Sequence, residues 1–222
     1  VVSLRRKAAE IAVALGQRAT AIELYREVLS ADPSDAASFL ALGGMLESEG
    51  RLGELLSLRK QELDATTDRE RRLSLRLEVA SIVAQIEATG GRVEALKANL
   101  EDAPGHRPSI EALTDVLSST ARYRELAEVL TRQAQLVEPA QSAELSRTVA
   151  RLAVDELEDD DLALASYRRV VEIAPDAAVP MIWKQVADRG ENVNDQLFLV
   201  LDAMLKPTHA ALMARECQKP KV

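Results

Sequence analysis

Apolar side chains recur along the chain at helical spacing, and the spacing itself repeats. Between Gly16 and Gly50, Ala21, Tyr25 and Val28 fall on one face of a helix that Pro33 stops. Ser34 and Asp35 are placed to cap a second helix, on which Phe39, Leu42, Gly43 and Leu46 share a face before Gly50 breaks the chain again. Gly16 and Gly50 stand 34 residues apart, the length of one helix–turn–helix unit. Small residues fall where two helices must approach closely, and large ones where the groove of the next hairpin must be filled.

A longer regularity lies over this one. Pro33, Pro104 and Pro175 are spaced 71 residues apart. The same offset aligns Tyr25 with Leu96 and Tyr167, Leu29 with Leu100 and Val171, and Leu55 with Leu126 and Leu197. It also aligns Leu58 with Val129 and Val200, and Leu15 with Ile86 and Leu157. The chain therefore reads as a four-helix double hairpin present about three times, with extra length in the first helices of the third and fifth hairpins.

Helices are predicted over 3–15, 18–31, 35–49, 52–64, 68–88, 91–102, 107–119, 122–136, 139–157, 161–174, 177–189, 193–205 and 208–217. Thr67-x-x-Glu70 reads as a capping box, Pro139 suits a first helical turn, and Asp161 is a predicted N-cap. Gly90-Gly91 and Pro104-Gly105 read as turns. After Pro175 the pattern degrades: Lys184 stands where Leu42 and Leu113 stand, and Asn192 replaces Gly50. Terminal repeats must cover the end of a core, so an atypical end is expected.

Phe39-x-x-Leu42-Gly43-x-x-Leu46 is similar to the aromatic, Leu-Gly, large-residue signature of the tetratricopeptide repeat. Ala21-x-x-x-Tyr25 with Val28 and Pro33 is similar to that repeat's second-helix signature. The chain thus resembles the tetratricopeptide repeat family, closely over about residues 8–64 and more loosely beyond, in the manner of large bacterial arrays. The resemblance implies an all-α fold, a right-handed superhelical α-solenoid of about six hairpins in a single domain over 1–222. Its double units would span about 1–64, 65–136 and 137–206, with a capping helix and tail at 207–222.

The same resemblance implies that the first helix of each hairpin lines a concave groove for a partner's extended peptide or helix. Carried over residue by residue, the lining is Arg6, Glu10 and Val13, then Leu40, Gly44 and Glu47, then Leu77, Ser81 and Gln85. It continues with Glu111, Asp115 and Ser118, then Thr148, Leu152 and Asp155. The acidic lean of Glu111, Asp115 and Asp155 suits a basic or amphipathic partner segment. Repeats of this family that clamp a C-terminal carboxylate set Lys and Asn across successive inner helices; here Arg6, Glu10, Leu40 and Gly44 stand there, which argues against that subtype.

Composition narrows the picture. Of the 222 residues 47% are apolar but only 3% aromatic, which suits packed helices rich in Ala and Leu. The net charge of −8 argues against nucleic acid as the main ligand. The single Cys217 forms no internal disulfide, and no apolar run approaches the roughly 20 residues that span a bilayer. No signal peptide is visible, so a cytoplasmic location is expected. The chain begins VVSLRRKAAE, without Met and close to a helix start, which is expected of a fragment or a processed product.

Catalytic chemistry finds little purchase. His106 and His209 lack metal-ligand spacing and read as surface residues. Cys217 has no neighbouring His to activate it. The acidic run Glu156 to Asp161 lacks the alternating spacing and central Gly of a Ca²⁺ loop, and reads as a solvated, capping turn. Arg5-Arg6-Lys7 and Arg69-Glu-Arg71-Arg72 read as exposed helix faces, and Trp183 as core or end-cap filler. The expectation is a non-catalytic scaffold without cofactor or metal that binds another protein. Two alternatives stand beside it: a self-assembling spacer, homo-oligomeric, and the repeat segment of a larger multidomain protein.

Overall fold

A computed structural model describes residues 2–86 and 91–174. They form ten helices with no strand among them: α1 (Val2–Ala14), α2 (Arg18–Ala31), α3 (Ala36–Ser48), α4 (Leu52–Ala65), α5 (Arg69–Gln85), α6 (Arg92–Asp102), α7 (Arg107–Ser119), α8 (Tyr123–Ala134), α9 (Pro139–Asp155) and α10 (Asp160–Ile173). The predicted helices at 177–189, 193–205 and 208–217, with Pro175, Trp183, His209 and Cys217, lie outside the described residues. The chain divides into two compact units, Val1–Asp102 and Ala103–Val222. Within each, helices pack chiefly on their neighbours in sequence, the arrangement of an all-α helical-repeat solenoid.

The 71-residue register holds in three dimensions. Shifted by 71, the bounds of α3 become those of α7. Tyr25, Leu96 and Tyr167 are all buried, as are Phe39 and Ile110, Leu42 and Leu113, and Leu46 and Leu117. α5 and α9 have 17 residues each where α1, α3 and α7 have 13, so the extra length falls in the third and fifth hairpins. Leu15 and Ile86 share the register but sit exposed at helix ends, outside the core.

Turn chemistry explains the breaks. Gly16, Gly50, Gly91 and Gly105 have φ of 74°, 67°, 78° and 75°, a region open to Gly without steric cost. Asp35 caps α3 by accepting from the Ser38 N–H at 3.3 Å, and Pro139 opens α9. Two predicted caps fall elsewhere. Asp68, not Thr67, caps α5, accepting from the Arg71 N–H at 2.7 Å, and no Thr67–Glu70 box forms. Asp159, not Asp161, caps α10 through the Leu162 N–H at 3.0 Å, because a carboxylate two residues earlier already meets the free amide.

Of the arginines at 69–72, read from the sequence as an exposed face, Arg69 is exposed, but Arg71 and Arg72 are half-buried. Arg71 Nη2 lies 2.6 Å from Glu62 Oε1, and its Nη1 lies 3.0 Å from Glu78 Oε1. Arg59 closes the ring, with Nη1 at 2.9 Å from Glu62 Oε2 and Nε at 2.6 Å from Glu78 Oε2. Arg72 Nη1 donates to the carbonyls of Leu63 and Thr66 at 2.8 and 3.0 Å, and Arg69 Nη2 to that of Asp102 at 2.6 Å. Four alternating charges thus tie α4 to α5, with Arg59 and Glu62 both buried.

Gly43 on α3 makes room for this ring. A Cβ there would meet Arg59 Nη2 at 2.7 Å and Nη1 at 3.0 Å, whereas one at Gly44 would meet nothing within 4 Å. The two adjacent glycines should therefore respond oppositely. Gly44→Ala is expected to stabilise by about 0.5–1 kcal/mol, the helix-propensity gain. Gly43→Ala is expected to destabilise by about 1–3 kcal/mol, because the guanidinium it displaces is held by two carboxylates. Urea denaturation of the two variants checks both signs.

Burial pushes the Tyr167 phenol on α10 up to about 12. The folded state then holds that proton more tightly than the unfolded chain, so this contribution is complete below pH 10 and is lost as pH rises from about 10 to about 12. Tyr167→Phe should flatten the loss of stability across that window, measured by denaturation at stepped alkaline pH.

Candidate functional site

In the first unit, the anticipated lining residues do not behave alike. Arg6 on α1 donates through Nη1 to Asp35 Oδ2 at 3.0 Å and Oδ1 at 3.3 Å, and its Nε lies 3.9 Å from Glu10. Asp35 is buried, so Arg6 neutralises the cap of α3 and is part of the frame. Tyr25 shares this cluster: burial first and the Glu10 carboxylate next push its phenol above its ordinary value, Arg6 opposing them. Glu10, Leu40, Glu47, Ser81 and Gln85 are exposed, and Leu77 is half-buried.

The second unit holds a defined cavity of about 450 Å³ between α7 and α9. Its apolar lining includes Ile110, Leu130 and Leu145, and its polar lining Glu111, Asp115, Glu144, Thr148, Arg107 and Arg151. Of the anticipated residues, Glu111, Asp115 and Thr148 come together here; Ser118 is half-buried and Asp155 exposed, and neither lines it. Arg107, Glu144 and Arg151 escaped the sequence analysis. The signal for Arg107 was available: Pro108 places it in the first turn of α7, one turn before Glu111.

Charge is unevenly paired in this cavity. Arg107 lies 3.3 Å from Glu111 and 3.4 Å from Glu144, so one cation bridges two helices. Thr148 Oγ1 donates to the Glu144 carbonyl at 3.2 Å. Asp115 and Arg151 form no ion pair among the described residues, leaving one carboxylate and one guanidinium on the cavity lining. The cavity thus combines an apolar floor with three acids and two bases.

The remaining candidates resolve into structure. His106 precedes α7, and its Nδ1 lies 2.9 Å from Ser109 Oγ. Within the acidic run, Asp159 caps α10 and lies 3.5 Å from Arg124, while Asp160 and Asp161 occupy the first turn near the helix's positive end. Among the described residues no three His, Cys, Asp or Glu side chains gather as a metal site. Among them, too, no helix is long and apolar enough to cross a membrane.

Helices packed in chain order within each unit, with one register recurring every 71 residues, define an all-α helical-repeat protein. Residues 7–35, most of α1 and all of α2, match the family profile of the tetratricopeptide repeat, so the chain carries a repeat of this kind there. Repeats of this family serve in general as protein–protein interaction scaffolds. No curated protein matches the chain. Solved structures with a similar fold include a tetratricopeptide repeat protein from Parabacteroides merdae, 14% identical, covering 96% of this chain and 79% of that one at a TM-score of 0.46. PilF of Pseudomonas aeruginosa is 18% identical over 83% of this chain and 82% of its own, with a TM-score of 0.42. YrrB, described as a TPR protein with an unusual peptide-binding site, is 14% identical over 82% of this chain and 90% of its own, with a TM-score of 0.43.

The division between frame and lining is open to measurement. Arg6→Ala should cost about 1–2 kcal/mol, since it strips a buried carboxylate of its charged donor. Glu10→Ala, on an exposed side chain one turn away, should change stability by less than about 0.5 kcal/mol. Chemical denaturation followed by circular dichroism distinguishes the two.

Proposed function

We propose that the chain is a non-catalytic interaction scaffold and that the α7–α9 cavity receives a segment of a protein partner. The observation that carries this is the composition of the cavity: apolar Ile110 and Leu145 beside Asp115 and Arg151, which form no ion pair among the described residues. A segment that places an apolar side chain on the floor and a Lys or Arg against Asp115 gains both burial and a charge-assisted hydrogen bond. Glu111 and Glu144 add to the attraction, because the single Arg107 between them only partly cancels their charge. An amphipathic basic helix or an extended basic peptide meets these requirements.

Selection from a displayed peptide library tests the reading. Peptides that pair apolar and basic residues should be enriched, and their binding should weaken at least about tenfold for the Glu111→Lys, Asp115→Lys double variant. Both side chains are exposed, so circular dichroism should show the fold unchanged. Enrichment of acidic peptides, or affinity indifferent to the charge reversal, would remove this cavity from consideration.

A further inference from the structure

The loop before α3 and the loop before α7 stand one 71-residue interval apart and close the same turn. The Asp35 N–H donates to the Asp32 carbonyl at 3.3 Å, and the His106 N–H to the Ala103 carbonyl at 3.1 Å. That bond fixes the last peptide of each turn, and in a trans peptide the C=O points opposite to the N–H. The carbonyls of Ser34 and Gly105 therefore both point out of their turns.

What meets them differs. In the second unit Gly105 is fastened on both sides: its N–H donates to Gln133 Oε1 at 2.9 Å, and its carbonyl accepts from Gln141 Nε2 at 2.6 Å. Val137 packs so closely that a Cβ on Gly105 would meet its Cγ1 at 2.5 Å. In the first unit the counterparts of Gly105, Gln133, Val137 and Gln141 are Ser34, Glu62, Thr66 and Glu70. Glu62 is taken by Arg59 and Arg71, and the Ser34 N–H turns to Asp32 Oδ1 at 3.0 Å. Glu70, a carboxylate, has no donor to give. The Ser34 carbonyl accepts no hydrogen bond among the described residues. A cavity of about 290 Å³ remains at this place, with Pro33, Phe39 and Ala65 in its apolar lining and Ser34, Thr66 and Thr67 in its polar lining.

We propose that this cavity is a docking site for one aliphatic side chain and one carboxamide, of Asn or Gln, that a partner protein presents together. The second unit states the chemistry, since Val137 and Gln141 fill the matching place with those two groups. A carboxamide N–H satisfies the Ser34 carbonyl, and an aliphatic group packs on Pro33 and Ala65. The volume also points to side chains, because it falls below the roughly 300–1,000 Å³ of pockets that take whole small molecules. The site lies wholly in the first unit and does not require the α7–α9 cavity to bind anything.

Isovaleramide joins a branched aliphatic group to a carboxamide, and titrating it into the full chain reads the site through amide chemical shifts. Saturable shifts at Phe39, Thr66 and Thr67 are expected, with a dissociation constant on the order of 10 mM. 4-Methyl-2-pentanone, in which a methyl group replaces the amide nitrogen, should bind at least about tenfold more weakly. The Ser34→Gly, Thr66→Val, Glu70→Gln variant carries the second unit's residues and should lose the shifts, its own side chains filling the cavity. Glu70→Gln alone, on an exposed side chain, should weaken isovaleramide at least about threefold with circular dichroism unchanged. Absence of saturable shifts, equal binding of the ketone, or binding indifferent to both variants overturns the proposal. A peptide copying residues 135–145, which holds Val137 and Gln141 at their native spacing, should compete with isovaleramide; failure to compete overturns the protein source. A small molecule retained by the purified chain in native mass spectrometry, or self-association in sedimentation, either of them lost in the triple variant, overturns that source in favour of a free ligand or a second copy.

Discussion

Burial of a first helix's apolar face by the second helix of the hairpin before it is the contact on which each unit stands. A single hairpin of about 30 residues cannot cover both its sides, so stability comes from stacking. Ile82 makes this concrete: it lies on α5, yet its cluster is that of Phe39, Leu42, Leu46, Leu55 and Leu58, the hairpin before. Side chains at these places fix the interval between double hairpins, and that interval appears in the sequence as a spacing of 71.

The same interface is built twice with different chemistry. Arg59, Glu62, Arg71 and Glu78 form a closed ring between α4 and α5. Their counterparts are Leu130, Gln133, Ser142 and Val149. Gln133 accepts from the Gly105 N–H at 2.9 Å, and Ser142 Oγ donates to the Ala134 carbonyl at 2.6 Å. One joint keeps its polar groups paired with each other, and the second hands them to the backbone and fills the rest with hydrocarbon. In the charged joint Arg59 Nε meets Glu78 as an ion pair without a hydrogen bond, whereas Gln133 and Ser142 of the second joint are both hydrogen-bonded. The charged version carries a larger desolvation cost and needs all four members, and it needs Gly43; in the second joint Thr114 stands in Gly43's place and Leu130 in Arg59's.

Periodicity made the helices legible because packing, the strongest of the forces that hold the hairpins together, sets the spacing of apolar residues. Tyr25, Phe39, Leu42 and Leu46 announced their burial in this way. Caps were less legible, since Thr67, Asp68, Asp159 and Asp161 all have capping side chains and only backbone geometry selects among them. The ion-pair ring was illegible, because Arg59 and Glu62 resemble any polar helix surface until α5 is laid across them. The α7–α9 cavity was half legible. Glu111, Asp115 and Thr148 follow from repeat position, but Arg107, Glu144 and Arg151 enter from adjacent turns through side-chain length, which spacing does not report.

Packing constrains only some positions of each repeat, and this is where one architecture acquires particular binding chemistry. Between α3 and α7 the core positions keep their character: Phe39 becomes Ile110, while Leu42 and Leu46 become Leu113 and Leu117. The neighbouring lining positions do not: Leu40 becomes Glu111, Gly44 becomes Asp115 and Glu47 becomes Ser118. Leu40, Glu111, Gly44 and Asp115 are all exposed, so neither residue of each pair contributes to the stacking that sets the fold. A residue released from packing can change charge or size at little cost in stability. The chemistry that an array offers a partner is thus written in positions adjacent to those that build it, and can differ from one hairpin to the next while the frame repeats.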